Sequence, residues 1–397
     1  MNYLVIGNGV AGTTAAEQIR KIDGSGDIMI LSDEKTPFYS RIRLIEYLAG
    51  QAQAEDIIIR KQDWYDRNLI RLSLNSPVRE IEPDRKEVVL SGGEVLRYDR
   101  LLIATGGVSF VPPVPGSDKE GVFTLRTIQD ADDIIRYGKE RKKVILIGGG
   151  VLGLEAGNSL RKRGLDVTVV EFFPRLLPRQ MDPEGAGILK AQMEGMGFSF
   201  FLGARTKEIT GEGRARGIIL EDGASIEGDM IIISAGVRPR ASLAQKIGLT
   251  VNKGLVVNDR METARRGIYA AGDLIEHRET FYGIWNAAEK QGEVAGINMA
   301  GGDALYEGTT MSNVLKVVGV DLAAAGDIDA DGVHDSLVMK DPDRYIYKKF
   351  VIRDGILSGC ILYGDISGYR RVIKAISEKR NVEGMRDALS RGDVSGV

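Results

Sequence analysis

Cysteine and histidine are almost missing from this chain: Cys360, His277 and His334 are the whole supply in 397 residues. One thiol forms no internal disulfide and holds no iron–sulfur cluster, which takes four thiolates. Two histidines are too few for a zinc or non-haem iron site of the usual kind, so no metal centre is expected. Long apolar runs are missing as well; none approaches the roughly 18 residues that suggest a membrane span. Neither sign of charge prevails, with 53 Lys and Arg against 56 Asp and Glu. That balance argues against nucleic acid as the main partner. Strand-like residues begin directly after Met1 and leave no room for a cleavable leader, so the expected location is the cytoplasm. The oligomeric state is left open.

Glycine is plentiful, at 50 residues, and two clusters of it carry the chemistry. Gly7-Asn8-Gly9-Val10-Ala11-Gly12 follows the apolar run Tyr3-Leu4-Val5-Ile6. Gly148-Gly149-Gly150-Val151-Leu152-Gly153 follows Val144-Ile145-Leu146-Ile147. Each reads as strand, G-x-G-x-x-G, helix. The first glycine permits a tight turn, the second lets a pyrophosphate approach the backbone, and the third lets helix and strand pack closely. The helix N-terminus then offers free N–H groups and a positive dipole end. One such motif is weak evidence. Two, in separate βαβ units, predict two dinucleotides in one protein and electrons passing between them.

The first unit is expected to run strand 3–6, helix 12–22, strand 28–32, and the second strand 144–147, helix 151–163, strand 167–170. Aligning the repeats sets Ser32 opposite Glu171. Leu101–Gly107 reads as a buried strand ending in a glycine turn at Ala104-Thr105-Gly106, and Ile231–Pro239 is its cousin, turning at Gly236. The stiff stretch Val111–Gly116 is the expected crossover into a second domain, with the return near Pro239. Gly267–Asp273 is a further strand and turn. A helix should span 286–299, with Asn286 and Glu289 at capping-box spacing. Beyond about residue 307 a third domain is expected, with strands near 314–320, 345–352 and 356–363 and helical patterns over 367–379 and 381–390.

With these residues in place, the chain resembles the FAD- and NAD(P)H-dependent pyridine nucleotide oxidoreductases over essentially its whole length. Within that superfamily it looks most like NADH:rubredoxin oxidoreductases and the flavin module of nitrite reductase large subunits. Three stretches carry this: Phe38-Tyr39-Ser40-Arg41-Ile42-Arg43-Leu44; Trp285-Asn286-Ala287-Ala288-Glu289-Lys290-Gln291-Gly292; and Leu315–Asp321 with Gly359–Asp365. The resemblance implies an α/β fold of two Rossmann-like, glutathione-reductase-type dinucleotide-binding domains plus a small C-terminal α+β domain. A discontinuous FAD domain would comprise 1–112 and 240–306, an NADH domain 113–239, and a C-terminal domain 307–397.

The resemblance also orders the cofactors, FAD on the first loop and NADH on the second. At the FAD site it implies the loop residues Gly7, Gly9, Val10, Ala11 and Gly12, and the acid Asp33 with Glu34 beside it. It adds Arg41, Val78, Ala104, Thr105 and Gly106, then Gly272 and Asp273, whose carboxylate would bind the ribityl chain, and Trp285 before the helix that aims at the flavin. Arg126 and Gly236 belong to the same implied cofactor set. At the NADH site stand Gly148, Gly150, Val151, Leu152 and Gly153. Glu171 there would accept hydrogen bonds from the ribose hydroxyls and repel a 2′-phosphate, which favours NADH over NADPH. Glu155, one turn into the second helix, is the catalytic candidate, near nicotinamide and flavin. Glu46 stands where some relatives have lysine, so Arg43 is its candidate partner. The plainer alternative is a helix-face carboxylate paired to an arginine.

Related disulfide reductases, peroxidases and coenzyme A disulfide reductases need thiols near the flavin. Arg41-Ile42-Arg43 has none, and Cys360 reads as a small buried hydrophobe. Asp327-Ile328-Asp329-Ala330-Asp331-Gly332 resembles the front of a calcium loop but lacks the glutamate at position twelve, and reads as a solvated acidic turn. Lys348, Lys349, Arg370, Arg371, Lys374, Lys379 and Arg380 form either a basic face for an acidic electron carrier or a solvated helix face. The expected activity is hydride transfer from NADH to FAD, then electrons to an acceptor such as a small rubredoxin-like carrier protein. An NADH oxidase, a detached nitrite-reductase flavin module and a slow NADH-sensing flavoprotein are the alternatives.

Overall fold

The computed structural model describes residues 1–309 and 312–397. It parts into two units. The first comprises Met1–Arg43, Gln53–Val108 and Val237–Thr309; the second comprises Leu44–Ala52, Ser109–Gly236 and Thr310–Val397. The chain passes from one unit to the other between Val108 and Ser109 and again between Gly236 and Val237. Leu44–Ala52 falls outside the first unit because its partners lie in the second: Ser159 Oγ donates to the Ile45 carbonyl at 2.8 Å, Tyr47 donates to Asp132, and Arg163 to the Leu48 carbonyl.

In the first unit a five-stranded parallel sheet runs in the order Ile268–Ala270, Arg100–Ile103, Asn2–Ile6, Asp27–Leu31, Ile70–Ser73. Tyr3, Leu4, Val5 and Ile6 are all buried, the continuous apolar run that a strand covered on both faces requires. The helix Val10–Ile22 presents Ala11, Ala15, Ala16 and Ile19 to the core. Against it lies Trp285–Met299. A Cβ at Gly292 or Gly296 of that helix would overlap the backbone of Ala11 or Ala15, so the two axes approach more closely than side chains allow. The unit also holds a three-stranded antiparallel sheet, Val78–Glu82, Glu87–Leu90 and Val95–Arg97, and a two-stranded parallel one, Leu255–Val257 with Ile275–His277.

The second unit repeats the plan. Its parallel sheet runs Ser199–Leu202, Asp166–Glu171, Lys143–Ile147, Met230–Ile233, Val122–Phe123, followed by the three-stranded Thr206–Thr210, Gly217–Leu220, Ser225–Glu227. To this is joined a five-stranded antiparallel sheet in the order Ser312–Val317, Val320–Gly326, Ile356–Tyr363, Ile346–Arg353, Asp335–Asp341. The helix Tyr369–Ser377 buries Val372 and Ala375 on the core formed with Phe350, Cys360 and Leu362. The strands Val320–Gly326 and Asp335–Asp341 flank the acidic turn at 327–332.

Candidate dinucleotide-binding sites

The two glycine loops are built atom for atom alike. Gly7 N–H donates to the Leu31 carbonyl and Gly148 N–H to the Val170 carbonyl, both at 2.8 Å. Ala104 N–H reaches Ile6 and Ser234 N–H reaches Ile147, again both at 2.8 Å. The superposition therefore sets Ser32 on Glu171, as the sequence repeat does. Gly7 (φ +118°) and Gly148 (φ +117°) take the left-handed turn, where a Cβ would overlap the Ala104 or Ser234 carbonyl. A Cβ at Gly12 or Gly153 would strike the carbonyl of Gly7 or Gly148.

The second glycine differs. A Cβ built at Gly9 or Gly150 meets nothing within 4 Å. Gly9 and Gly150 are also the N-caps of their helices, with no side-chain cap and no acid in the first turn. Both loops thus leave helix N–H groups and open space for a phosphate, which is what a dinucleotide needs. Between the first two glycines, Asn8 accepts from Tyr65 OH at 2.9 Å, while its buried Nδ2 lacks a partner among the described residues. That donor suits an anionic ligand. The residues present fit the group.

Around the first loop the two adjacent acids divide. Glu34 accepts from Arg41 and from Tyr39 OH, each at 2.5 Å. Burial works against the Arg41 charge, and Tyr39, Glu34 and Asp273 outweigh it. Asp33 is exposed and pairs with Arg240, whose carbonyl accepts from Thr105 Oγ1 at 2.8 Å. Arg240 comes from the returning crossover, and no local signal in the sequence points to it. Val10 and Val78 pack on the core of this unit and Ala104 is buried in it. Gly106 (φ +65°) and Gly272 (φ +87°) turn in the left-handed region. Trp285 packs on Phe38, ring centroids 5.9 Å apart. The helix behind it starts at Trp285 with Ile284 as N-cap. Asn286 therefore lies inside the first turn and does not cap it; the capping-box spacing is incidental.

In the second unit Glu171 is buried, and its carboxylate accepts from Gly149 N–H at 2.5 Å and from Phe173 N–H at 2.8 Å. It braces the loop from below. Val151 and the exposed Leu152 open the helix, Gly236 turns at φ +104°, and Arg126 N–H donates to Asp130 at 2.8 Å beside the capped helix Ile128–Gly138. Glu155 is 8% exposed. Its carboxylate accepts from the backbone N–H of Val318, in the turn after the strand Ser312–Val317. Burial raises its pKa, and the Val318 bond, Lys162 and Lys316 pull the other way. Arg43 donates to the Asp56 carbonyl at 2.5 Å.

Two expectations about the C-terminal sheet are corrected. Asp329 is buried, accepting from Val333 N–H at 2.8 Å, so the acidic turn is not simply solvated. Lys348 and Lys349 are also buried, Lys348 on Asp365 at 2.7 Å and Lys349 on Asp182 at 3.2 Å, and belong to no surface patch. Arg370, Arg371, Lys374 and Lys379 remain exposed. Cys360 is buried, and burial pushes its thiol up to about 12. It is expected to resist thiol reagents at neutral pH until the protein is unfolded, because the thiolate is the reactive form; labelling of the native protein at the rate of free cysteine would contradict this. No cluster of metal-ligating side chains and no helix long and apolar enough to cross a membrane occurs among the described residues.

Comparison with known proteins agrees with this geometry. The family model described as pyridine nucleotide-disulphide oxidoreductase matches residues 1–292, and the rubredoxin NAD+ reductase C-terminal domain matches 312–380. The nitrite reductase [NAD(P)H] of Bacillus subtilis is 37% identical over 381 residues, 96% of this chain but 47% of that protein. The NADH-rubredoxin oxidoreductase of Clostridium acetobutylicum is 31% identical over 96% of this chain and 95% of its own length. The crystal structure of the Clostridium NADH:rubredoxin oxidoreductase superposes with a TM-score of 0.85 at 30% identity, covering 98% of this chain and 99% of that one. The chain spans about half the length of the first nitrite reductase and nitrate reductase relatives it matches.

Proposed function

The chain belongs to the pyridine nucleotide-disulphide oxidoreductase family, and from that premise we propose that it is an FAD-dependent NADH oxidoreductase that delivers electrons to a small rubredoxin-like carrier. The observation that carries the reading is the duplicated loop: two helix N-termini, each with open space at its second glycine. FAD would sit in the module of 1–112 and 240–306, NADH in 113–239, and the module of 307–397 carries the rubredoxin-reductase-type sheet. The cytoplasm is the proposed location.

FAD, when bound, supplies the redox chemistry, accepting a hydride from NADH and releasing electrons singly to the acceptor. The protein binds and orients. Gly7, Gly9 and Gly12 with the first helix would receive the pyrophosphate, Asp33 the adenosine ribose, and Asp273 the ribityl chain. Arg41, held by Glu34, supplies positive charge beside them. Gly148, Gly150 and Gly153 would receive the NADH pyrophosphate and Glu171 its ribose. Glu155 is proposed to act near the nicotinamide as a buried carboxyl rather than as a strong base; hydride transfer needs alignment more than proton transfer.

Glu171→Ala removes both the ribose acceptor and the brace under Gly149. NADH kcat/KM is expected to fall about 10- to 100-fold, the range for a buried donor left unpaired. The preference for NADH over NADPH should narrow, because the charge that repels a 2′-phosphate is gone. Equal selectivity in variant and wild type would count against the assignment. The activity itself is tested by stopped flow: flavin bleaching by NADH, then mixing with rubredoxin, oxygen, ferricyanide or nitrite. Fast reoxidation by rubredoxin supports the reading; fast reoxidation by oxygen alone replaces it with an oxidase.

A further inference from the structure

The turn that presents Asp273 is held by a side chain. Gly272 lies in the left-handed region at φ +87°, and its N–H donates to Gln291 Oε1 at 2.9 Å. Gln291 is 1% exposed. Its other end donates to Tyr306 OH at 3.4 Å, and that hydroxyl meets Thr309 Oγ1 at 2.7 Å. Tyr306 is itself buried, edge-on to His277 and Tyr282, and its N–H is tied to the Asp259 carbonyl at 2.7 Å. The amide thus has one orientation: carbonyl toward Gly272, NH2 toward the tyrosine. The next residue, Gly292, lies against the Ala11 backbone in the first glycine-loop helix. One helix therefore touches both the phosphate-side helix and the Asp273 turn, and Gln291 is the atom-level link to the latter.

We propose that Gln291 is a positioning residue for the flavin, fixing the Gly272-Asp273 turn in the conformation that receives the ribityl chain. This rests on the reading that FAD occupies the first loop. In Gln291→Leu the half-buried Gly272 N–H loses its acceptor, and the turn relaxes to find another. A backbone donor that loses its partner costs about a tenfold factor in whatever equilibrium depends on it. Tyr306→Phe keeps the acceptor but frees the amide to turn, and should give a smaller effect. Gln291→Glu keeps an oxygen for Gly272 and should recover most of the loss.

The test is FAD titration of stripped protein, with the visible flavin spectrum and the melting temperature read in parallel. The expected result is FAD binding weakened at least about tenfold in Gln291→Leu, an altered flavin spectrum at saturating FAD, and recovery in Gln291→Glu. Wild-type affinity and spectrum in Gln291→Leu, whatever its melting temperature, would overturn the proposal. Wild-type protein that takes up no FAD would instead overturn the reading of the first loop.

Discussion

Gly9→Ala is expected to weaken FAD binding about 100-fold and leave the protein folded, while Gly12→Ala in the same loop damages the fold itself. The two positions carry the same residue but have opposite surroundings. Gly9 has φ −99° and ψ −166°, a conformation alanine adopts freely, and a methyl there touches no protein atom within 4 Å. It projects into the space that a pyrophosphate would occupy. A methyl at Gly12 lands on the Gly7 carbonyl oxygen, a backbone atom with nowhere to go. Overpacking of this kind costs about 1–3 kcal/mol or more. In Gly9→Ala that penalty falls on binding, about 100-fold in FAD affinity at 2.7 kcal/mol. In Gly12→Ala it falls on stability as well. Gly150→Ala and Gly153→Ala should repeat the contrast for NADH. Urea melts beside FAD and NADH titrations distinguish the cases; a Gly9→Ala protein that retains FAD normally would refute the placement of the pyrophosphate.

Lys349→Met is expected to destabilise the second unit by about 3–5 kcal/mol, the cost of leaving buried charge without its partner. Lys349 Nζ lies 3.2 Å from Asp182 and 3.7 Å from Asp329, and donates to the Asp329 carbonyl at 2.7 Å. Asp182 also accepts from Tyr347 OH at 2.6 Å and from Gly185 N–H at 2.9 Å, where it caps the helix Pro183–Gly195. Removing the lysine strands two buried carboxylates. Tyr347→Phe removes one hydrogen bond to a charged group, about 1.5–3 kcal/mol, and should be milder. Adding Asp182→Asn to Lys349→Met should restore part of the loss, since asparagine still caps the helix and carries no charge. Chemical denaturation checks the order; a Lys349→Met midpoint equal to wild type would remove this network from the account of stability.

Much of the fold is legible because its determinants are local. The strand-loop-helix units at 2–31 and 143–171 follow from apolar runs ended by glycines that no other residue can replace, and the repeat alignment that sets Ser32 on Glu171 survives in the hydrogen bonds. The helix boundaries near 10–22 and 151–162 shift by only one or two residues from those expected. Asn286 misled because a capping-box spacing says nothing about where the helix actually begins; the preceding backbone sets that. The acidic turn at 327–332 misled because charge suggests solvent, whereas Asp329 is held by backbone N–H groups and by Lys349 from the strand Ile346–Arg353.

What the amino-acid order determined by itself is the pair of phosphate-binding turns, the absence of a thiol beside the first of them, and the carboxylate at 171. Steric demands on glycine and the 2.0 and 3.6 periodicities act within a few residues, so they are written along the chain. What only the tertiary structure decided is which partner each polar group has: Arg240 for Asp33, Arg41 for Glu34, the Val318 N–H for Glu155, Asp182 for Lys349, Gln291 for the Gly272 turn. Those pairs join residues from 7 to 207 positions apart. Their formation depends on burial, which removes competing water, and burial exists only once the sheets and helices have packed.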